Sequence, residues 1–153
     1  MNKPNVIPGG NISKWNKRFL EIVEIMTNWS KDPSSQFAAL IVRPDRSIVA
    51  YGVNNFPRGI EDSEERLSDR PVKYDLIVHA ETNALLHAHE DLSECTMYVG
   101  SVPCVRCAVN IIQSGISRVI CVPPTEDYLS RWGDSVDSTM ILFNEAGVLC
   151  YWE

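Results

Sequence analysis

Val78-His-Ala-Glu-Thr-Asn-Ala-Leu-Leu86, Thr96-Met-Tyr-Val-Gly-Ser101, Cys104-Val-Arg-Cys-Ala-Val-Asn-Ile-Ile-Gln-Ser-Gly115 and Arg118-Val-Ile-Cys-Val122 follow one another in the chain, and their order decides the fold. The spacing predicts a helix from about His79 to Ala88, a strand over Thr96 to Ser101, a helix over Cys104 to Gly115 and a buried strand over Arg118 to Val122. A strand, a helix and a second strand in this order make a crossover unit, which lays the two strands parallel. Working outward, Ile12 to Ser30 has helical spacing at Trp15, Phe19, Ile22, Val23 and Met26. Phe37 to Val42 and Ser47 to Val53, separated by Pro44-Asp45-Arg46, read as a β-hairpin. Val136 to Ala146 reads as helix, Gly147 as its C-cap and Val148 to Trp152 as a last strand. Asn54 to Pro71 and Pro123 to Asp134 read as irregular segments. The expected order is α-β-β-α-β-α-β-α-β, a largely parallel sheet with helices on both faces. Such sheets bind ligands beyond the carboxyl ends of their strands.

A chain of 153 residues, 44% hydrophobic and 22% charged, fits one domain with a substantial core. The formal net charge of −6 disfavours a polymeric nucleic-acid substrate, whose phosphates call for a basic face. Met1-Asn-Lys-Pro-Asn lacks the features of a signal peptide, and no apolar run approaches the roughly 20 residues of a membrane helix. The expectation is a cytoplasmic protein with no membrane partner. Its five cysteines are then expected to stay reduced.

His79-Ala80-Glu81 opens one predicted helix, and Pro103-Cys104-Val105-Arg106-Cys107 opens the next. Both helix N-termini then point at one place, where His79, Cys104 and Cys107 offer three ligands to a zinc ion. Positive helix ends favour thiolate over thiol, the form a metal needs. Three protein ligands leave a fourth tetrahedral position for water, the catalytic arrangement. Glu81 falls beside that water without binding metal and is suited to carrying its protons. A bare C-x-x-C is also compatible with redox or structural roles. A closed zinc site, however, wants a fourth ligand. His87 and His89 lie eight or more residues along the helix from His79, about 12 Å or more on an ideal helix, and read as surface or packing residues. Cys95, Cys121 and Cys150 fall in or beside apolar strands and read as core.

The order and spacing H-x-E…P-C-x-x-C resemble the zinc deaminase signature. That signature alone leaves cytidine, tRNA-adenosine, guanine and riboflavin-pathway deaminases open. Gly52-Val-Asn-Asn-Phe-Pro-Arg-Gly59, Lys73-Tyr74 and Val78-His-Ala-Glu-Thr-Asn-Ala-Leu-Leu86 resemble the deoxycytidylate (dCMP) deaminase family of the cytidine deaminase superfamily. So do Met97-Tyr-Val, Pro103-Cys-Val-Arg-Cys-Ala, Ile111-Ile-Gln-Ser-Gly-Ile and Leu142-Phe-Asn-Glu-Ala-Gly-Val148. The likeness thins before Ser30 and over Pro123 to Asp134.

The resemblance implies an α/β fold, a three-layer α/β/α sandwich around a five-stranded mixed sheet, with one catalytic Zn2+ per chain. It implies hydrolysis of dCMP to dUMP and ammonia by zinc-bound hydroxide, with Glu81 as the proton shuttle. Asn54 would bond the sugar or phosphate, the Ala80 N–H would face the pyrimidine O2, and the Ser101 and Val102 carbonyls would accept from the exocyclic amine. Arg58 and Lys73 are candidates for the 5′-phosphate. Tyr128, Arg131 and Trp132 are candidates to close over the nucleotide. Asn55 replaces the glycine that usually follows Asn54 in the family; asparagine tolerates positive φ, which would preserve the turn. The resemblance also implies a homo-oligomer, commonly a hexamer, and dCTP and dTTP as effectors, with Mg2+ accompanying a regulatory nucleotide. The apolar residues Ile141, Leu142, Phe143, Leu149, Tyr151 and Trp152 are expected to serve either that assembly or the chain's own core. Alternatives within the same chemistry are CMP, 5-substituted dCMP or a nucleoside. A different alternative is a silent, zinc-stabilised nucleotide-binding module.

Overall fold

The computed structural model describes residues 13–152, so the expectations on Met1 to Asn5 and on Ile12 fall outside the described residues. The elements run α1 (Lys14–Thr27), β1 (Ala38–Val42), β2 (Ile48–Val53), α2 (Glu64–Ser68), α3 (Arg70–Leu76), α4 (Ala80–His87), β3 (Thr96–Val99), α5 (Val105–Ser114), β4 (Arg118–Cys121), α6 (Glu126–Ala146) and β5 (Leu149–Trp152). One sheet holds all five strands in the order β2-β1-β3-β4-β5. β1 pairs antiparallel with both β2 and β3. β3, β4 and β5 run parallel. The sheet is therefore mixed, and the parallel half is the one carried by helical crossovers.

β1 is buried at all five positions, because each of its faces meets a different layer. Ala39 and Ile41 join Met97, Val99, Val119 and Cys121 in a core closed by α4, α5 and α6 through Ala80, Ala84, Ala108, Ile111, Val136 and Phe143. Leu40 and Val42, with Tyr98 and Ile120, face α1, which buries Phe19, Val23 and Met26 against them. Alternation along each strand thus divides one apolar run between two cores. Cys95, Cys121 and Cys150 are buried free thiols, two of them in strands.

Gly52 brings α4 onto the sheet. A Cβ there would stand 2.3 Å from the Ala80 carbonyl oxygen and 2.4 Å from the Ala84 nitrogen, so no other residue allows β2 to pass so near the helix. Two expectations about irregular segments are corrected. Within Asn54 to Pro71 the chain forms α2 and starts α3, capped by the Ser63 hydroxyl and the Asp69 carboxylate. Within Pro123 to Asp134 it starts α6, whose first turn carries Glu126 and Asp127 behind the Thr125 cap. Gly133 sits inside α6, where its cost of about 1 kcal/mol relative to alanine is offset by capping and burial. A third correction concerns Asn55, which is not among the positive-φ residues. It instead exchanges both backbone hydrogen bonds with Val78, in an isolated bridge. Gly147 caps α6 in the left-handed region, as the sequence suggests.

Candidate active site

His79 and Cys104 are the N-cap residues of α4 and α5, both in extended backbone, and neither side chain caps its own helix. Each is free to turn toward the other. The His79 Nδ1 lies 3.4 Å from the Cys104 sulfur and 3.3 Å from the Cys107 sulfur. The three donor atoms lie within 4.8 Å of one another, the one such cluster among the described residues. One imidazole nitrogen and two sulfurs at the positive ends of two helices form a donor set that fits zinc. The thiols are inequivalent without metal. A hydrogen bond from Cys107 holds Cys104 well below the ordinary thiol range, while Cys107 keeps its proton because of that bond and its burial. His79 is pushed up, first by its bond with Cys104.

Glu81 follows within the first turn of α4 and is 7% exposed. Its Oε2 lies 3.4 Å from the Cys107 sulfur, so the carboxylate flanks the metal cluster. Burial raises its pKa above the ordinary carboxylate range.

The remaining candidates divide. Ala80 is buried beneath the site, and the Ser101 to Pro103 segment leads from β3 into Cys104. The Val102 carbonyl already accepts from the Tyr128 hydroxyl at 3.0 Å, which leaves one lone pair for another donor. Asn54 is buried, and its side chain bridges backbone groups: the Phe37 N–H donates to Oδ1 at 2.8 Å, and Nδ2 donates to the Ser35 carbonyl at 2.7 Å. Lys73 is corrected. Its ammonium is buried on Asp32 at 3.2 Å and Ser34 at 2.8 Å, with side-chain exposures of 5% for Lys73 and 3% for Asp32. A lysine paired in this way is committed to the fold, not to a phosphate. Arg58 is exposed. Trp132 is 49% exposed, and Arg131 pairs with Asp127 on the α6 surface. His87 meets the Tyr51 carbonyl and His89 is exposed, both outside the cluster.

Asp32 and Ser34 are site-side residues that the helical spacing of Ile12 to Ser30 does not reach. The signal was present: the Asp32 carboxylate accepts from the Ser34 and Ser35 N–H groups, a turn that Asp-Pro-Ser-Ser favours.

A five-stranded α/β/α sandwich with an open His-Cys-Cys cluster and a buried glutamate at two helix N-termini defines a class of hydrolytic zinc enzymes. Residues 13–123 match the family model described as the cytidine and deoxycytidylate deaminase zinc-binding region, and the chain belongs to that family. It is 46% identical over 141 residues to an uncharacterized deaminase in the luxG 3′ region of Aliivibrio fischeri, spanning 92% of this chain and 95% of that protein. It is 36% identical over 146 residues to the human deoxycytidylate deaminase, spanning 88% and 77% respectively. Among solved structures, the dCMP deaminase of cyanophage S-TIM5 in complex with dCMP and dUMP superposes with a TM-score of 0.74. That match covers 94% of this chain and all of the other at 22% identity, a likeness of fold.

Proposed function

We propose that the chain hydrolyses dCMP to dUMP and ammonia, using Glu81 to move protons beside a zinc ion held by His79, Cys104 and Cys107. The observation that carries the reading is the convergence of those three donors with the buried Glu81 carboxyl, 3.4 Å from the Cys107 sulfur. The kinship with deoxycytidylate deaminases over most of the chain supports dCMP as the substrate. When bound, zinc supplies the positive charge that lowers the pKa of water toward about 7.

Glu81 takes a proton from the attacking water and delivers it to the ring nitrogen N3 as the water oxygen bonds to C4. The C4–N4 bond then breaks, the amine leaves as ammonia with a second proton passed by Glu81, and C4 becomes a carbonyl. The backbone N–H of Ala80 faces O2. The Ser101 and Val102 carbonyls accept from the exocyclic amine, and Val102 uses the lone pair that Tyr128 leaves. Asn54 borders the sugar. With Lys73 committed elsewhere, Arg58 stands as the phosphate candidate of the two, and Tyr128 and Trp132 as the α6 residues to close over the nucleotide.

The same reading covers a single deaminase domain in the cytoplasm. No helix among the described residues is long and apolar enough to cross a membrane. It also covers a closed homo-oligomer such as a hexamer. Phe143 is fully buried in the chain's own core, while Ile141 and Leu149 remain 59% and 42% exposed for a neighbour. Ammonia release should be compared for dCMP, CMP, 5-methyl-dCMP and deoxycytidine, with and without dCTP or dTTP and Mg2+. The expected result is dCMP preferred to deoxycytidine by about 10- to 150-fold in kcat/KM, the worth of a charge-assisted phosphate contact. Equal efficiency on both would refute the nucleotide assignment, and silence on every substrate would favour a nucleotide-binding module.

A further inference from the structure

Cys104 occupies the N-cap of α5, the position where a serine or aspartate would ordinarily satisfy the helix's first N–H groups. Its sulfur turns to the metal cluster instead and makes no capping bond. One of those N–H groups and two carbonyls just before the helix are held instead from α6. The Val105 N–H, first in α5, donates to the Ser135 hydroxyl at 3.2 Å. The Thr139 hydroxyl donates to the Pro103 carbonyl at 2.8 Å, and the Tyr128 hydroxyl donates to the Val102 carbonyl at 3.0 Å. Three backbone groups on the three residues that flank Cys104 in segment 102–105 are therefore held by side chains of one helix.

The spacing of the three holders is not incidental. Tyr128, Ser135 and Thr139 are separated by seven and then four residues, which places them on one stripe of α6. Thr139 is fully buried, an uncommon place for a hydroxyl unless it has a fixed partner. The helix is itself anchored by Val136 and Phe143, which enter the core beneath α5. A rigid lever thus runs from the core, along α6, to the backbone on both sides of a metal ligand.

We propose that α6 is the positioning element of the metal loop, with Thr139 and Ser135 fixing where Cys104 presents its sulfur and Tyr128 fixing the direction of the Val102 carbonyl. None of the three touches the metal donors, and each acts through the backbone of residues 102–105. The part that concerns Val102 rests on the deaminase reading above; the part that concerns Cys104 does not. Outer partners of metal ligands commonly set affinity by about 10- to 100-fold. Here the outer partners act on the ligand's backbone rather than on its side chain.

The test measures zinc affinity by competition with a chromophoric chelator and the absorption spectrum of the cobalt(II)-substituted protein, on folded samples of the full chain. Thr139→Val keeps the branched shape and removes the hydroxyl, and Thr139→Ser restores it. Thr139→Val is expected to weaken zinc binding by about 10-fold or more and to alter the tetrahedral cobalt bands, with Thr139→Ser within about threefold of wild type. Ser135→Ala is expected to weaken binding in the same direction. Tyr128→Phe is expected to leave zinc affinity near wild type and to lower kcat/KM for dCMP by about 2- to 10-fold, the worth of one neutral hydrogen bond.

A purely structural α6 would lower the melting temperature of Thr139→Val and Ser135→Ala while both folded proteins bound zinc and cobalt as wild type does. That result would overturn the proposal. If Thr139→Val does not fold, the half-buried Ser135 decides through its alanine variant alone. Wild-type kcat/KM in Tyr128→Phe would remove Tyr128 from the assignment. Should dCMP prove not to be the substrate, the turnover arm falls silent and the metal arm still reads.

Discussion

At the metal end of the site, His79, Cys104 and Cys107 hang from two helix N-termini that an apolar core presses together through Ala80, Ala84, Ala108 and Ile111. At the other end, the chain from Ser30 to Phe37 is tied to Asn54 and Lys73 by hydrogen bonds and a buried ion pair. The first arrangement draws its strength from area, which many small contacts share. The second depends on each partner being present, since an orphaned buried polar group costs more than its bond contributed. Loss at the metal end should therefore remove chemistry before it removes the fold. Loss at the polar end should do the reverse.

The largest expected effect breaks the metal end. Cys107→Ala should reduce bound zinc from near one per chain toward zero and abolish ammonia release, while circular dichroism stays that of the native fold. A chain that keeps its zinc after this change would place the metal elsewhere.

Lys73→Met tests the polar end. Removing one partner of a buried ion pair typically costs about 3–5 kcal/mol. Asp32 keeps its Ser34 and Ser35 bonds, so the lower figure, roughly 3 kcal/mol or about 6–12 °C in Tm, is expected. Zinc content should not change. The pH dependence has a defined sign. Burial pushes the Asp32 carboxyl up, but the Ser34 and Ser35 N–H groups and the Lys73 ammonium outweigh it and hold it below its ordinary value. Its stabilising contribution is full above about pH 3.9 and is lost as pH falls through the lowered value. Without Lys73 the folded-state value rises, so that loss should be smaller and complete at higher pH, which acid titration of the unfolding midpoint reads directly. A Lys73→Met protein as stable as wild type would dissolve the contrast between the two ends.

Asn54→Ala is expected to have the smallest effect of the three. It orphans the Phe37 N–H and the Ser35 carbonyl, at a cost of about 1–3 kcal/mol, and should raise KM for dCMP more than it lowers kcat. Unfolding and KM measured on one preparation would sharpen the comparison. A fall in stability with unchanged KM would make Asn54 a structural residue only.

The same contrast governs what could be read from the sequence. The hairpin, the crossover unit and the C-cap at Gly147 follow from periodicity and turn chemistry, which are local. The metal cluster was legible because His79 and Cys104 each sit at a predicted helix start, so the fold's geometry brought them together. The fate of Lys73 was not legible, because its partner lies 41 residues away and no local signal ties an exposed-looking lysine to Asp32. The start of α6 was hidden by Pro123-Pro124 and Gly133, although Thr125 followed by Glu126 and Asp127 carries the cap and the first-turn acids of a helix. The short helices α2 and α3 carried similar cap signals at Ser63 and Asp69 within a segment whose charge and Pro content suggested loop. Asn55 shows the opposite error, a local rule about positive φ applied where a bridge to Val78 had already fixed an extended chain.

In the proposed mechanism three residues hold the metal while a fourth, Glu81, moves the protons. Zinc content and ammonia release from dCMP, measured together on wild type and Glu81→Gln, test it most directly. The expected result is near one zinc per chain in both proteins, with turnover in the variant lowered by about 10²–10⁴-fold. A variant that keeps more than about a tenth of wild-type turnover, or that loses its zinc along with its activity, would contradict the separation of roles.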